Sequence, residues 1–340
     1  MRNQIDLEIS QQLDVGDVRR QAVAMARRAT GNETALGHVA LVATELGRNI
    51  LAHAGGHGQV LLRLNIEHEP ATLDLLARDL GPGIGDIARA LEDGYSTGGT
   101  PGTGLGAVRR LSHQFDLYSR PGGGAVAFSR ICLGAGATEP SCRPVPTMDG
   151  LRLPAPGETV CGDHFAIRHQ HGLTSALLVD ALGHGQKAAK VADLAVELFQ
   201  QLPVDLPPDA CCHRLHQGLR STRGAALAVV QIDATGRLLF SGIGNIAGRL
   251  VTADGSRQIL SQPGIAGHAL PTVSCEQLPF ESGGRLYLHS DGVVSRWSLD
   301  PYPGLGDHHP LVQCAVLLRD FHRRDDDASM LILHGVPHEC

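Results

Sequence analysis

Two glycine clusters headed by an isolated carboxylate, DLGPGIG at 79–85 and GGTPGTGLG at 98–106, constrain this chain more than any other stretch. Glycine at this density lets backbone pass close to a flat ligand with no Cβ atoms in the way. The apolar run from Ala71 to Ala77 delivers Asp79 to a strand edge. The second cluster leads directly into AVRRL, so a flexible loop feeds a helix whose first N–H groups can hold phosphate. The pairing points to a nucleotide. It matches neither of the commonest phosphate loops: there is no GxxxxGK(S/T), and GTGLGA does not sit between a first strand and an early acidic residue.

Upstream, LVATELGRNILAHAGG places Glu45 and Asn49 four residues apart, on one face of a helix, with Val39, Val42, Leu46 and Ile50 as the core-facing stripe. Taken in order, these three motifs resemble the GHKL ATPase superfamily. Within it they are most similar to small bacterial switch kinases and anti-sigma kinases of the RsbT-like kind, whose lid resembles ALEDGYSTGG and the GLGAVRRL that follows. The resemblance covers most of residues 1–132. It implies that Asp79 reads the adenine amino group of ATP beside Gly81 and Gly83, and that Thr103, Gly104, Leu105 and Gly106 belong to a lid over the triphosphate. It also implies that Asn49 holds Mg2+ and that Glu45 orients or deprotonates the attacking hydroxyl.

At 340 residues the chain is long enough for two domains, each with its own core. Low aromatic and high glycine content favours Val, Leu and Ala cores with tight turns. A formal net charge of -6 with no basic run argues against a general nucleic-acid binder, so proteins are the expected partners. The N-terminal MRNQIDLEISQQLD has no apolar signal-like core, and no segment approaches the roughly 18–20 apolar residues of a membrane helix. A cytoplasmic protein without membrane partners is expected. The eight cysteines are scattered, and the adjacent Cys211 and Cys212 lack a zinc-like CxxC partner, so they read as reduced and structural.

Patterning predicts a strand at 4–9, helices at 17–29 and 33–54, strands at 59–67 and 71–77, a helix at 104–113, and a hairpin of 114–119 with 124–132. Residues 133–150 carry glycine, proline and small polar residues without an apolar face, and read as a linker. Beyond it come strands at 160–168 and 173–180, a long helix from about Gln186, strands at 225–232, 238–241, 247–252, 277–280 and 285–289, a helix at 310–322 and a strand at 328–334. No internal repeat relates the halves. The expected fold is α+β: an N-terminal GHKL (Bergerat) α/β sandwich at 1–132, then a β-sandwich flanked by helices at 151–340.

The second half places acidic residues at strand ends: Asp163 in CGD, Asp180 in VDALGHG, Asp291 in HSDG, and Asp326 with Asp327 in RDDDAS. Carboxylates gathered at one rim require a cation. An oxygen donor set suits Mg2+ or Mn2+, and two such ions about 3.5–4 Å apart can activate water and clamp a phosphoryl group. The order GD, DxxGHG, SDG, DDxS resembles the SpoIIE-type branch of the metal-dependent serine/threonine protein phosphatases, nearest to its compact RsbX-like members. The resemblance implies that Asp163 and Asp180 bridge the metals, that the Ala181 carbonyl completes a site, and that Asp291 and Asp326 bind from the other side. Asp327 falls at a position that is often not a ligand. The family's GGD is CGD here, and the glutamate usual after TDG is Ser295. His184 either assists water or phosphate or fixes the turn.

The expected function is a bifunctional partner-switching regulator, an ATP-dependent serine/threonine kinase joined to a phosphoserine/phosphothreonine phosphatase. Its implied substrates are STAS-domain proteins, anti-anti-sigma or stressosome-type, and a sigma factor or sigma-factor regulator is a further candidate partner. The alternative is a phosphatase whose N-terminal domain is a non-catalytic ATP-dependent binding module. Homodimer formation through the N-terminal sheet is open.

Overall fold

The computed structural model describes residues 3–66, 70–92, 104–134, 148–268, 272–278, 280 and 283–335. The chain divides into two compact units, Met1–Arg143 with Asp300–Val312, and Pro144–Leu299 with Gln313–Cys340.

The first unit runs β1 (Gln4–Ile9), α1 (Gln12–Ala26), α2 (Glu33–His53), β2 (Gly58–Asn65), β3 (Thr72–Asp79), α3 (Ile87–Ala90), α4 (Gly104–Leu111), β4 (Gln114–Ser119) and β5 (Ala125–Cys132). Its antiparallel sheet has the order β1-β2-β3-β5-β4. Side chains alternate along each strand. Val60, Leu62, Leu73, Leu75 and Ile131 therefore face one way, into a core closed by Val18 and Met25 of α1 and Val39, Val42, Leu46 and Ile50 of α2. Asn32 caps α2, its Oδ1 accepting from the amides of Thr34 and Ala35. α1 starts at Gln12, five residues before the expected start, because Asp14 closes a capping box on Gln11.

The opposite face of this sheet is not a plain solvent face. Asp74 is fully buried there, between Arg63 of β2 and Arg130 of β5. The Asp300–Val312 segment belongs to this unit as well. His308 Nδ1 lies 2.8 Å from Asp116 Oδ1, the His309 amide donates to Asp116 Oδ2 at 2.6 Å, and the His309 ring stacks on Phe128.

The second unit contains β6 (Met148–Leu153), β7 (Asp163–Gln170), β8 (Leu173–Ala181), α5 (Gln186–Gln201), α6 (Pro208–Gly218), β9 (Ala225–Ile232), β10 (Leu238–Ile243), β11 (Ala247–Thr252), β12 (Gly255–Leu260), β13 (Glu276–Leu278), β14 (Arg285–His289), α7 (Pro310–Phe321) and β15 (Ala328–His334). These strands make two antiparallel five-stranded sheets, β13-β10-β9-β8-β7 and β12-β11-β14-β15-β6. Ala176, Leu178, Ala228 and Val230 of one meet Leu250, Leu286, Leu288 and Leu331 of the other in a shared core. The intervening residues Leu177, Val179, Leu227 and Val229 pack against Phe199 of α5 and Cys211 and Leu215 of α6. β8 and β9 are buried on both faces, which explains their nearly unbroken apolar runs. A β-sandwich flanked by helices is the result, in line with the sequence expectation.

Besides α1, four elements differ from that expectation: β6 begins inside the glycine- and proline-rich stretch, while α3, α6 and β12 are additional to the predicted elements. None of the described cysteines, Cys132, Cys161, Cys211, Cys212, Cys275 and Cys314, is in a disulfide. Burial pushes the Cys212 thiol well above its ordinary range, which suits a structural role.

Candidate active sites

The first site is built where α2, the end of β3 and the start of α4 meet. Glu45 and Asn49 stand one turn apart on α2. A Cβ placed on Gly104, the first residue of α4, would lie 3.2 Å from Glu45 Oε2 and 3.3 Å from Asn49 Oδ1. Glycine is thus what allows the helix start to approach both side chains. Asn49 Nδ2 is buried without a hydrogen-bond partner, and Arg48 reaches Glu45 Oε1 at 3.2 Å. Leu105 packs on the domain core and Gly106 is buried in the same turn of α4. Thr103 and most of the second glycine cluster lie outside the described residues.

Asp79 sits half-buried at the end of β3, where its Oδ1 accepts from the Gly81 amide at 2.8 Å and the Ala125 amide at 3.3 Å. Gly81 passes so close to the end of α2 that a Cβ would come within 2.9 Å of the Ala54 Cα. Gly83 has a φ of +76°, and a Cβ there would fall inside the Arg120 carbonyl. Sterically, then, both glycines are required by the turn that fixes Asp79.

The second site lies at one end of the β7-β8-β9 sheet. Antiparallel register sets Asp163 directly opposite Asp180, and Ala181 opposite Ala225. Asp291 follows β14 and Asp326 precedes β15, so both enter from strand ends of the other sheet. Burial, then the neighbouring charges of Asp163, Asp291 and Asp326, push the Asp180 carboxyl up to about 9. Burial likewise raises Asp163 to about 7, against the nearby hydroxyls of Ser290 and Ser329, which favour the charged form. Asp163 Oδ2 has no partner of its own, and burial therefore sets the direction. Asn245 steadies Asp291, its Nδ2 donating to Oδ2 at 2.6 Å.

Asp327 behaves differently from its neighbour. Its two oxygens accept from the amides of Ala155 and Gly162, each at 2.7 Å, so it clamps the turn before Asp163. Each of its oxygens thus accepts one backbone amide, which ties Asp327 to that turn. Asp326 Oδ1 accepts from the Asp327 amide at 2.8 Å. His184 Nδ1 pairs with Glu158 Oε1 at 2.9 Å, which raises the histidine's pKa.

Both sites fit divalent cations by donor chemistry. The second offers only hard oxygen ligands, including a buried, unpartnered carboxylate oxygen whose burial is costly without a counter-charge. Among the described residues these groups couple electrostatically without closing into a ready-made ligand set. The first site offers Asn49 Oδ1 beside Glu45 Oε2. Sequence reasoning missed Asn245 and Glu158. Glu158, in GETVCGD, stood within a motif already singled out.

These features define two classes in one chain, an ATPase-type α/β sandwich and a phosphatase-type β-sandwich with an acidic rim. The histidine kinase-like ATPase domain family matches residues 10–130, and the stage II sporulation protein E (SpoIIE) family matches residues 170–334. The serine/threonine-protein kinase RsbT of Bacillus subtilis (strain 168) is 33% identical over 124 residues, which are 36% of this chain and 92% of that protein. Among solved structures, the phosphatase domain of SpoIIE from Bacillus subtilis, with a fragment of its regulatory domain, is 14% identical. It covers 97% of this chain and 100% of its own, with a TM-score of 0.48. The RsbU and RsbW domains of a Mycobacterium tuberculosis protein are 20% identical, covering 57% of this chain and 62% of theirs, with a TM-score of 0.48. The chain belongs to the RsbT-like serine/threonine kinase family through its N-terminal part, which is fused to a SpoIIE-type protein phosphatase domain.

Proposed function

We propose that this chain writes and erases phosphate on serine or threonine of small STAS-domain proteins in a cytoplasmic partner-switching pathway of the stressosome or anti-anti-sigma type. RsbT, the relative that supports the kinase half, is itself named a serine/threonine-protein kinase. Asp79, Gly81 and Gly83 would receive the adenine, and Thr103, Gly104, Leu105 and Gly106 the triphosphate, the latter through backbone amides at the start of α4. Glu45 would accept the proton of the substrate hydroxyl, and Asn49 is the residue that would hold Mg2+, which when bound offsets the charge of the phosphates.

In the phosphatase, Asp163, Asp180, Asp291, Asp326 and the Ala181 carbonyl are the groups that would hold Mg2+ or Mn2+. Those ions, when bound, supply an activated water and offset the charge of the phosphoryl group. Asn245 keeps Asp291 turned into the rim, and the Asp327 clamp holds Asp163 in place. The single observation carrying the phosphatase reading is the Asp163–Asp180 register pair, with its raised pKa values and its unpartnered buried oxygen. The Glu45–Asn49–Gly104 approach supports the kinase reading over that of a non-catalytic binding module. A sigma factor, or its regulator, and a second copy of this chain are further proposed partners.

Two variants of the full chain test both halves. Glu45→Gln should lower phosphotransfer to a STAS protein by about 10²–10⁴ while ATP binding persists; unchanged phosphotransfer would remove Glu45 from the chemistry. Asp180→Ala should let phosphorylated STAS protein accumulate without turnover at every Mn2+ concentration, and continued phosphate release would refute the acidic site.

A further inference from the structure

We propose that Arg223 is the phosphate-recognising side chain of the phosphatase site, an inference that rests on the phosphatase reading above. Continuing the register of Asp180 with Ala226 and Ala181 with Ala225 brings Arg223 opposite Gly183, just past the acidic end of β8. Its Nη1 donates to the Leu182 carbonyl at 2.8 Å, and the same atom lies 2.9 Å from where a Cβ of Gly183 would be. The guanidinium therefore rests on the DALGHG turn. That turn also meets the other half of the rim, since a Cβ on Gly162 would lie 3.1 Å from the Gly183 carbonyl oxygen and 2.8 Å from Asp327 Oδ2.

The placement is built into the backbone. The Leu182 amide donates to the Gly224 carbonyl at 3.2 Å, and the Gly224 amide donates to Thr222 Oγ1 at 3.0 Å. Gly224 has a φ of +82°, and a Cβ there would fall 2.6 Å from Ile265 and 2.7 Å from His268, so no other residue fits. Among the described residues Arg223 forms no ion pair with a carboxylate, although a cluster of aspartates lies at the end of the same sheet. It is exposed, with one nitrogen committed to backbone and the rest of its fork open to solvent. A guanidinium so held matches the paired oxygens of a phosphoryl dianion. By contrast, Arg152 is spent on the Asp163 carbonyl at 3.0 Å.

The test uses the full chain with Mn2+, p-nitrophenyl phosphate as substrate and inorganic phosphate as ligand. Arg223→Ala should raise KM about 10-fold or more with kcat changed far less, and should weaken inorganic phosphate binding in calorimetry by a similar factor. Arg223→Lys should recover part of both. Unchanged KM and phosphate affinity in Arg223→Ala would overturn the proposal, as would a fall in kcat alone, which would mark Arg223 as a support for the Leu182 turn. A wild-type chain that hydrolyses nothing would instead overturn the phosphatase reading beneath it.

Discussion

The two adjacent aspartates of the DDxS motif show how much a single side chain's partners decide. Asp326 accepts one amide, through Oδ1, whereas both oxygens of Asp327 accept an amide, from Ala155 and from Gly162. Asp327→Ala would leave two buried amides without an acceptor, at a cost of about 1–3 kcal/mol for each. A lowered thermal midpoint together with weaker Mn2+ affinity is expected, because the released turn carries Asp163. An unchanged midpoint would show that the clamp is dispensable. Asp163 and Asp180 were legible in the sequence as acidic residues at strand ends. Their opposition across β7 and β8 was not, because register depends on which residues pair, and strand-end residues alone do not specify it.

Among the elements, β2, β3 and β5 are tied on their outer face by a buried charge cluster set beside the buried apolar side chains of Leu61, Leu76 and Phe128. Asp74 accepts from Arg63 Nη2 at 2.8 Å, Arg130 Nε at 2.6 Å and Asn65 Nδ2 at 3.0 Å. Burial alone would raise the Asp74 pKa, but the charges of Arg130 and Arg63 more than reverse this and hold it well below the usual carboxylate range. A carboxylate depressed in the folded state contributes stability that is fully present above its unfolded pKa, about 3.9, and is lost as pH falls below that value. Acid unfolding of this unit should therefore steepen below about pH 4. Asp74→Ala should flatten that part of the profile and destabilise the unit by about 3–5 kcal/mol at neutral pH, since it removes the buried carboxylate shared by Arg63 and Arg130. A variant with the wild-type acid profile would contradict this.

Elements with a strong apolar period, such as α2, β8 and β9, could be read directly from the sequence. α6 could not, because it follows Pro207 and its buried residues are Pro208, Cys211, Cys212, Leu215 and His216, a weakly apolar set. Only one residue of β12 is buried, so its existence depends on pairing with β11 rather than on its own pattern. β6 was masked by the prolines and glycines before it; what makes it a strand is its pairing with β15.

For the whole molecule, one chain joins an RsbT-like kinase-type domain to a SpoIIE-type phosphatase domain. The compact units do not follow the sequence order, since Asp300–Val312 is flanked on both sides by the second unit yet belongs to the first. Sequence could not reveal this, because the contacts of Asp116 with His308 and His309 span more than 190 residues and carry no local signature. Two opposing activities on one chain predict that the net phosphorylation of a shared substrate is set by the ratio of ATP-dependent transfer to metal-dependent hydrolysis. The most direct test is a time course of the purified full chain with labelled ATP, Mg2+ and a STAS protein from the same genome, followed by a chase with Mn2+ and unlabelled ATP. Label entering the STAS protein and then leaving as inorganic phosphate is the predicted result. Absence of label, with a pre-phosphorylated STAS protein still losing phosphate, would contradict the bifunctional account and reduce the first unit to an ATP-dependent binding module.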